Sequence, residues 1–166
     1  MNSDTPPDVP PGDGLQPVEP AYRHVLRVRL LLLWVPLIVG GLIADRLLLA
    51  ETPVYGLPST ALPLFALIAL TFAPARIYDR LRYGLTANQL RLVRGWLFHT
   101  DTIVPLVRVQ HLDVTRSPLD KMFGTASLIV HTAGTHNSVV TVAGLAPDRA
   151  AEIRDVIREL VRSDFE

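Results

Sequence analysis

Hydrophobic and polar positions divide the chain into four zones. From Met1 to Pro20 there are six prolines, four acids (Asp4, Asp8, Asp13, Glu19) and no base, with Val9, Leu15 and Val18 the only sizeable apolar residues. Such a stretch buries too little surface to order itself. It predicts a disordered, acidic, Pro-rich cytoplasmic tail over residues 1–22. A secretory signal starts basic and turns apolar early, whereas here the apolar run begins near residue 28 behind the acids.

Leu30 to Ala44 carries no charge. Extended to residues 28–49, the stretch makes about 33 Å of helix against a hydrocarbon core of about 30 Å. Leu30-Leu31-Leu32-Leu33-Trp34-Val35 has no polar face to turn to water. After a short turn with Glu51, Thr52 and Pro53, residues 57–75 are again uncharged, about 28 Å of helix. Pro58 suits the first turn of this second span, while Pro63 falls inside it and is expected to bend it by removing a backbone donor. Residues 23–82 therefore read as a two-helix transmembrane hairpin, with Tyr22, Tyr55 and Tyr78 near its interfaces. Gly40, Gly41 and Ala44 offer a small-residue face for helix packing within or between protomers. Arg23, Arg27 and Arg29 precede the first span and Arg76, Arg80 and Arg82 follow the second, with Arg46 alone between. The positive-inside rule then puts both termini in the cytoplasm.

The third zone reads as strands. Residues 89–98, alternating before a turn, 102–115, rich in Val, Leu and Ile, 127–132, alternating again, and 138–143 are the predicted runs, punctuated by Thr86-Ala87-Asn88, Arg94-Gly95, Gly124 and Ala133-Gly134-Thr135-His136-Asn137. Pro105 interrupts the second run and predicts a bulge, bend or edge. From Pro147 the period changes: Ala151, Ile153, Val156, Ile157, Leu160 and Val161 recur at helical spacing, with Arg149, Arg154, Arg158 and Glu159 on the wet side. Strands followed by one amphipathic helix describe a small barrel or curved sandwich plugged by that helix. Residues 83–166 are long enough for one such core.

Composition adds two constraints. Sixteen bases balance sixteen acids, with 19% charged and 49% hydrophobic residues and a mean hydropathy of +0.29, which leans toward a membrane. The absence of cysteine excludes a disulfide scaffold, a cysteine nucleophile and a thiolate metal site.

Tyr83-Gly84-Leu85-Thr86, Leu90-Arg91-Leu92-Val93-Arg94-Gly95, Val104-Pro105-Leu106, Val109-Gln110-His111-Leu112-Asp113-Val114 and Pro118-Leu119-Asp120-Lys121-Met122-Phe123-Gly124 together resemble the bacterial PH domain of YdbS-like membrane proteins. The likeness runs from about Tyr83 to Val161, behind two transmembrane helices as in that family. It implies a PH-like fold, a seven-stranded curved barrel closed by the C-terminal helix, in a multi-pass protein of the bacterial plasma membrane. It implies little about activity.

Candidate chemistry is sparse. His111 and Asp113, two apart on a strand, point to one face and can pair; without a nucleophile or metal beside them they read as a structural motif pair. His24, His99, His131 and His136 stand at no metal-ligand spacing, and no phosphate-cradling glycine loop or nucleophile elbow is present. No cofactor and no metal are expected. Arg76, Arg80, Arg82, Arg91 and Arg94, offset by Asp79, give residues 76–94 a net charge of +4. They are the candidates for contact with anionic lipid headgroups, although the first three also serve topology. Arg91 and Arg94, three apart, fall on opposite strand faces. Trp96, Leu97 and Phe98 are assigned to the core by default. Twelve bases against ten acids over residues 76–166 is too weak a charge for nucleic acid. The preferred reading is a non-enzymatic membrane protein presenting a PH-like module at the cytoplasmic face, for protein assembly or headgroup contact. A homo-oligomeric transporter-accessory or channel-like component is the alternative, and a lipid enzyme using His111 and Asp113 the third.

Overall fold

A computed structural model of the chain describes residues 14–96, 98–133 and 138–163. Helices α1 (Tyr22–Leu47) and α2 (Leu57–Asp79) form an antiparallel hairpin. Both are long and apolar enough to cross a membrane, and their outward leucines, valines and phenylalanines are exposed, as a lipid-facing surface requires. Within the hairpin, a Cβ on Gly41 would run into the Leu62 side chain and touch Pro58, so Gly41 is what lets α1 approach α2 closely. Gly40 has open space beside it. At the far turn, Asp45 is buried and accepts from the Ser59 N–H at 2.9 Å and the Gly56 N–H at 3.3 Å. One carboxylate of α1 thus satisfies donors that the start of α2 would leave orphaned.

The remaining strands form two antiparallel sheets. The first, in order β1-β2-β3-β4, joins β1 (Gln16–Pro17), β2 (Arg82–Leu85), β3 (Gln89–Arg94) and β4 (Thr100–Pro105). The second, in order β5-β6-β7, joins β5 (Val109–Thr115), β6 (Ala126–Thr132) and β7 (Val139–Leu145). Pro105 ends an edge strand, and a single 3-10 turn at Leu106–Arg108 swings the chain from one sheet to the other. The expected interruption at Pro105 is therefore the corner of the fold. The seven strands make an open sandwich rather than the closed barrel implied by the resemblance: β4 pairs only with β3 and no ladder joins the two sheets among the described residues. Helix α4 (Pro147–Ser163) packs on β5 and β6 and closes the core, burying Ala150, Ile153 and Ile157 in the same cluster as Leu128 and Val130.

A short helix not expected from the sequence, α3 (Pro118–Phe123), lies between β5 and β6. Its start is a capping box: Ser117 Oγ accepts from the Asp120 N–H, and Asp120 Oδ2 accepts from the Ser117 N–H at 3.0 Å. Its end is Gly124 at φ 68°, the left-handed cap that glycine adopts freely.

The largest correction concerns the tail. Residues 1–13 lie outside the described residues, but residues 14–22 are not a disordered tail. Gln16 and Pro17 pair with Tyr83 and Arg82, and Val18, Tyr22 and Val25 are core residues of the domain. Tyr22 is thus a core side chain rather than an interfacial one. Its ring packs on Gly144, where φ is +79° and a Cβ would come within 2.6 Å of the ring. The domain that begins at Arg82 is completed by residues from before the first span.

Candidate functional site

The junction between hairpin and domain carries polar contacts between residues far apart in the chain. Helix α1 has 26 residues, about 39 Å, more than a bilayer core needs. The surplus is its first two turns, which leave the apolar stretch and enter the domain. There His24 stacks on Phe123 of α3, with ring centroids 5.8 Å apart, and Arg29 stands 3.9 Å from Asp120. On the other side Arg23 pairs with Asp79 at 2.9 Å and lies 4.0 Å above the Tyr78 ring. The Tyr78 hydroxyl donates to the Val18 carbonyl at 3.0 Å.

Asp120 ties this junction together. It is 2% exposed and accepts from Ser117 Oγ at 2.6 Å and Thr125 Oγ1 at 2.8 Å as well as from the Ser117 N–H. Burial pushes its pKa up, but the hydrogen bonds from Ser117 and Thr125 and the charge of Arg29 outweigh burial and hold the carboxyl below its ordinary value. Asp120 stays an anion, aimed at α1. Asp120 falls within the stretch that carries the family resemblance, and Ser-Pro-x-Asp, at capping-box spacing, is its signal in the sequence.

The candidate arginines divide. Arg76 and Arg80 are exposed, one turn apart at the end of α2, and Arg82 is exposed at the first residue of β2. Arg94 is exposed at the end of β3, and because Arg82 pairs with Val93 it lies at the same end of the sheet as Arg82. Arg91 differs. Its guanidinium donates three hydrogen bonds to Asp101 at 2.6 to 3.1 Å, and these bonds hold the Asp101 carboxyl below its usual range. Arg91 shares the outer face with Arg82, while Arg94 has the opposite parity on β3.

His111 and Asp113 do pair, Nε2 to Oδ1 at 3.0 Å. The structure adds a third member from the next strand: His131 lies opposite His111 and sets its Nε2 3.4 Å from Asp113 Oδ2. The row lies on the outer face of the second sheet, with His111 68% exposed. Both carboxylate oxygens already face an imidazole, and no described group of three or more His, Asp or Glu side chains is placed to hold a metal. His131 was passed over because its proximity depends on strand register.

Trp96 and Phe98 are 49% and 79% exposed, which corrects their assignment to the core; Leu97 lies outside the described residues. Of the small-residue candidates, Gly41 is buried within the hairpin, Ala44 is half-buried and Gly40 faces outward. An open cleft of about 350 Å³ separates the β4 edge from Arg108, Thr132 and Val140.

Comparison with known proteins agrees with this architecture. The family model described as Bacterial PH domain matches residues 30–161, taking in α1 from Leu30 onward, α2 and strands β2 to β7, but neither β1 nor the first two turns of α1. The chain is similar to the UPF0699 transmembrane protein YdbS of Bacillus subtilis (strain 168), 35% identical over 81 residues, which is 49% of each chain. The chain thus spans about half the length of the curated relative it matches. No solved structure matches it.

Proposed function

The chain belongs to the bacterial PH domain family and carries two candidate membrane spans, and from that premise we propose that it is a non-enzymatic assembly protein that holds its PH-like domain at the cytoplasmic face of the plasma membrane. The observation that carries this reading is the burial of Tyr22 and Val25 of α1 in the domain core. A domain that shares its core with a membrane helix is at the membrane permanently. Lipid binding adds nothing to its recruitment, so the surfaces turned away from the bilayer are free to receive protein. In orientation, six arginines flank the hairpin on the domain side and only Arg46 lies in α1's last turn, which favours a cytoplasmic domain and a two-pass chain.

The outer face of the second sheet supports the assembly reading. His111, Asp113 and His131 form a polar row there and Val139, 51% exposed, stands beside His131 in register. The test is a photo-crosslinking residue at Val139 in the full chain, expressed in native membranes, with one at lipid-facing Leu67 as reference. Discrete protein adducts at Val139 and none at Leu67 are expected. Absence of any protein adduct at Val139 overturns the reading.

Gly40 favours a second reading. It is a small residue with open space on the outward side of α1, a geometry that suits contact with another copy of the hairpin and with it an oligomeric accessory or channel-like component. A defined oligomer in mild detergent that Gly40→Leu dissociates is the outcome this reading requires; a monomer removes it.

A further inference from the structure

We propose that the β3–β4 turn is a lipid-contact element, with Trp96 and Phe98 entering the interface of the same bilayer that the hairpin crosses. Sheet register gives its place. Arg82, two residues after α2 leaves Arg80, pairs with Val93, and Arg94 pairs with Thr100. The turn between β3 and β4 therefore lies at the membrane-proximal end of the first sheet, and the turn between β2 and β3 at the distal end. A direct contact fixes it there: Arg80 Nη1 donates to the Trp96 carbonyl at 3.1 Å.

The turn presents large apolar side chains where a soluble surface would present polar ones. Phe98 is 79% exposed and Trp96 49%, while Arg76, Arg80, Arg94 and His99 around them are also exposed. Aromatic rings amid basic side chains suit the headgroup region, which takes indole at its boundary and is negatively charged on its anionic lipids. Gly95 opens the turn at φ +146°, and a Cβ there would run into the Phe98 carbonyl, so this position calls for glycine. This inference depends on the hairpin crossing the bilayer and not on the assembly reading, and the two fail separately.

The experiment uses the full chain reconstituted in vesicles of phosphatidylcholine with and without phosphatidylglycerol. The protein has two tryptophans, so Trp34→Phe leaves Trp96 as the sole reporter. Blue-shifted emission, loss of most of its intensity with lipids brominated near the headgroup, and protection from aqueous acrylamide are expected, with Arg80→Ala reducing the lipid quenching. Unchanged far-ultraviolet circular dichroism in both variants confirms that the fold is intact. Water-like emission that acrylamide quenches and brominated lipid does not overturns the proposal. So does shielding seen only in native membranes, which would assign the turn to a protein partner.

Discussion

The two membrane helices are alike in being long and apolar enough to span a bilayer and unlike in use. Helix α2 ends at Asp79 and hands the chain to β2 two residues beyond its cap; of its side chains only Tyr78 packs against the domain core. Helix α1 places Tyr22, Val25 and Leu26 in or against that core and holds α3 through His24 and Arg29. The difference teaches that the domain is not a portable module on a membrane tether. One of its walls is a membrane helix, and one strand of its first sheet precedes that helix.

Removing that wall should have the largest effect. Residues 82–163 alone lack Val18, Tyr22 and Val25, and each apolar side chain taken from a core forfeits about 1.5–3 kcal/mol. That loss is comparable with the whole stability of a small domain. The isolated segment is expected to show no cooperative urea transition, while the full chain in detergent micelles shows one; a cooperative transition in the segment would restore the tether picture. Single substitutions sharpen the contrast. Tyr22→Ala is expected to cost about 3–5 kcal/mol by analogy with other aromatic truncations in cores, whereas Phe72→Ala, on the lipid side of α2 where Phe72 is 58% exposed, should leave domain stability unchanged. Equal losses would mean that the two helices serve the domain equally.

Smaller effects probe the α3 contact. Ser117→Ala removes a helix cap worth about 1 kcal/mol, readable as a lower urea midpoint for the domain. The weakest signal is a dependence on pH. Asp120 has a folded pKa below its unfolded one, so its contribution is present above the unfolded value and is lost as pH falls through the folded value. The thermal midpoint of the full chain should therefore fall on acidification below the ordinary carboxylate range. Asp120→Asn should lower the midpoint at neutral pH and flatten that acid limb; an unchanged limb would show that α3 is not held by the ionised carboxylate.

Legibility followed sequence distance. The spans stood out because an uncharged run of membrane length has few other meanings, and β3, β6, β7 and α4 stood out locally, while β4 and β5 read as one run interrupted at Pro105. What escaped depended on partners far along the chain. Gln16-Pro17 looks like part of a proline-rich tail until Tyr83 and Arg82 are set beside it. Val25 looks like the preface to a span, and only the sandwich makes it core. Trp96 and Phe98 were assigned by hydrophobicity alone, which cannot distinguish a protein interior from a bilayer. The pair His111 and Asp113 was legible from strand parity, and His131 was not, because its place is set by the register of β5 against β6.

Strand β1 also imposes an order on biosynthesis. Gln16 and Pro17 are made first, then both spans, and only afterwards the residues that β1 must pair with. The first sheet can close only when residues 14–22 and 82–105 meet on one side of the bilayer. A chain in which only one of the two helices crossed would leave β1 on the side opposite its pairing partners, with Tyr22 and Val25 missing from the core. Closing the first sheet therefore requires the two helices to cross as a pair.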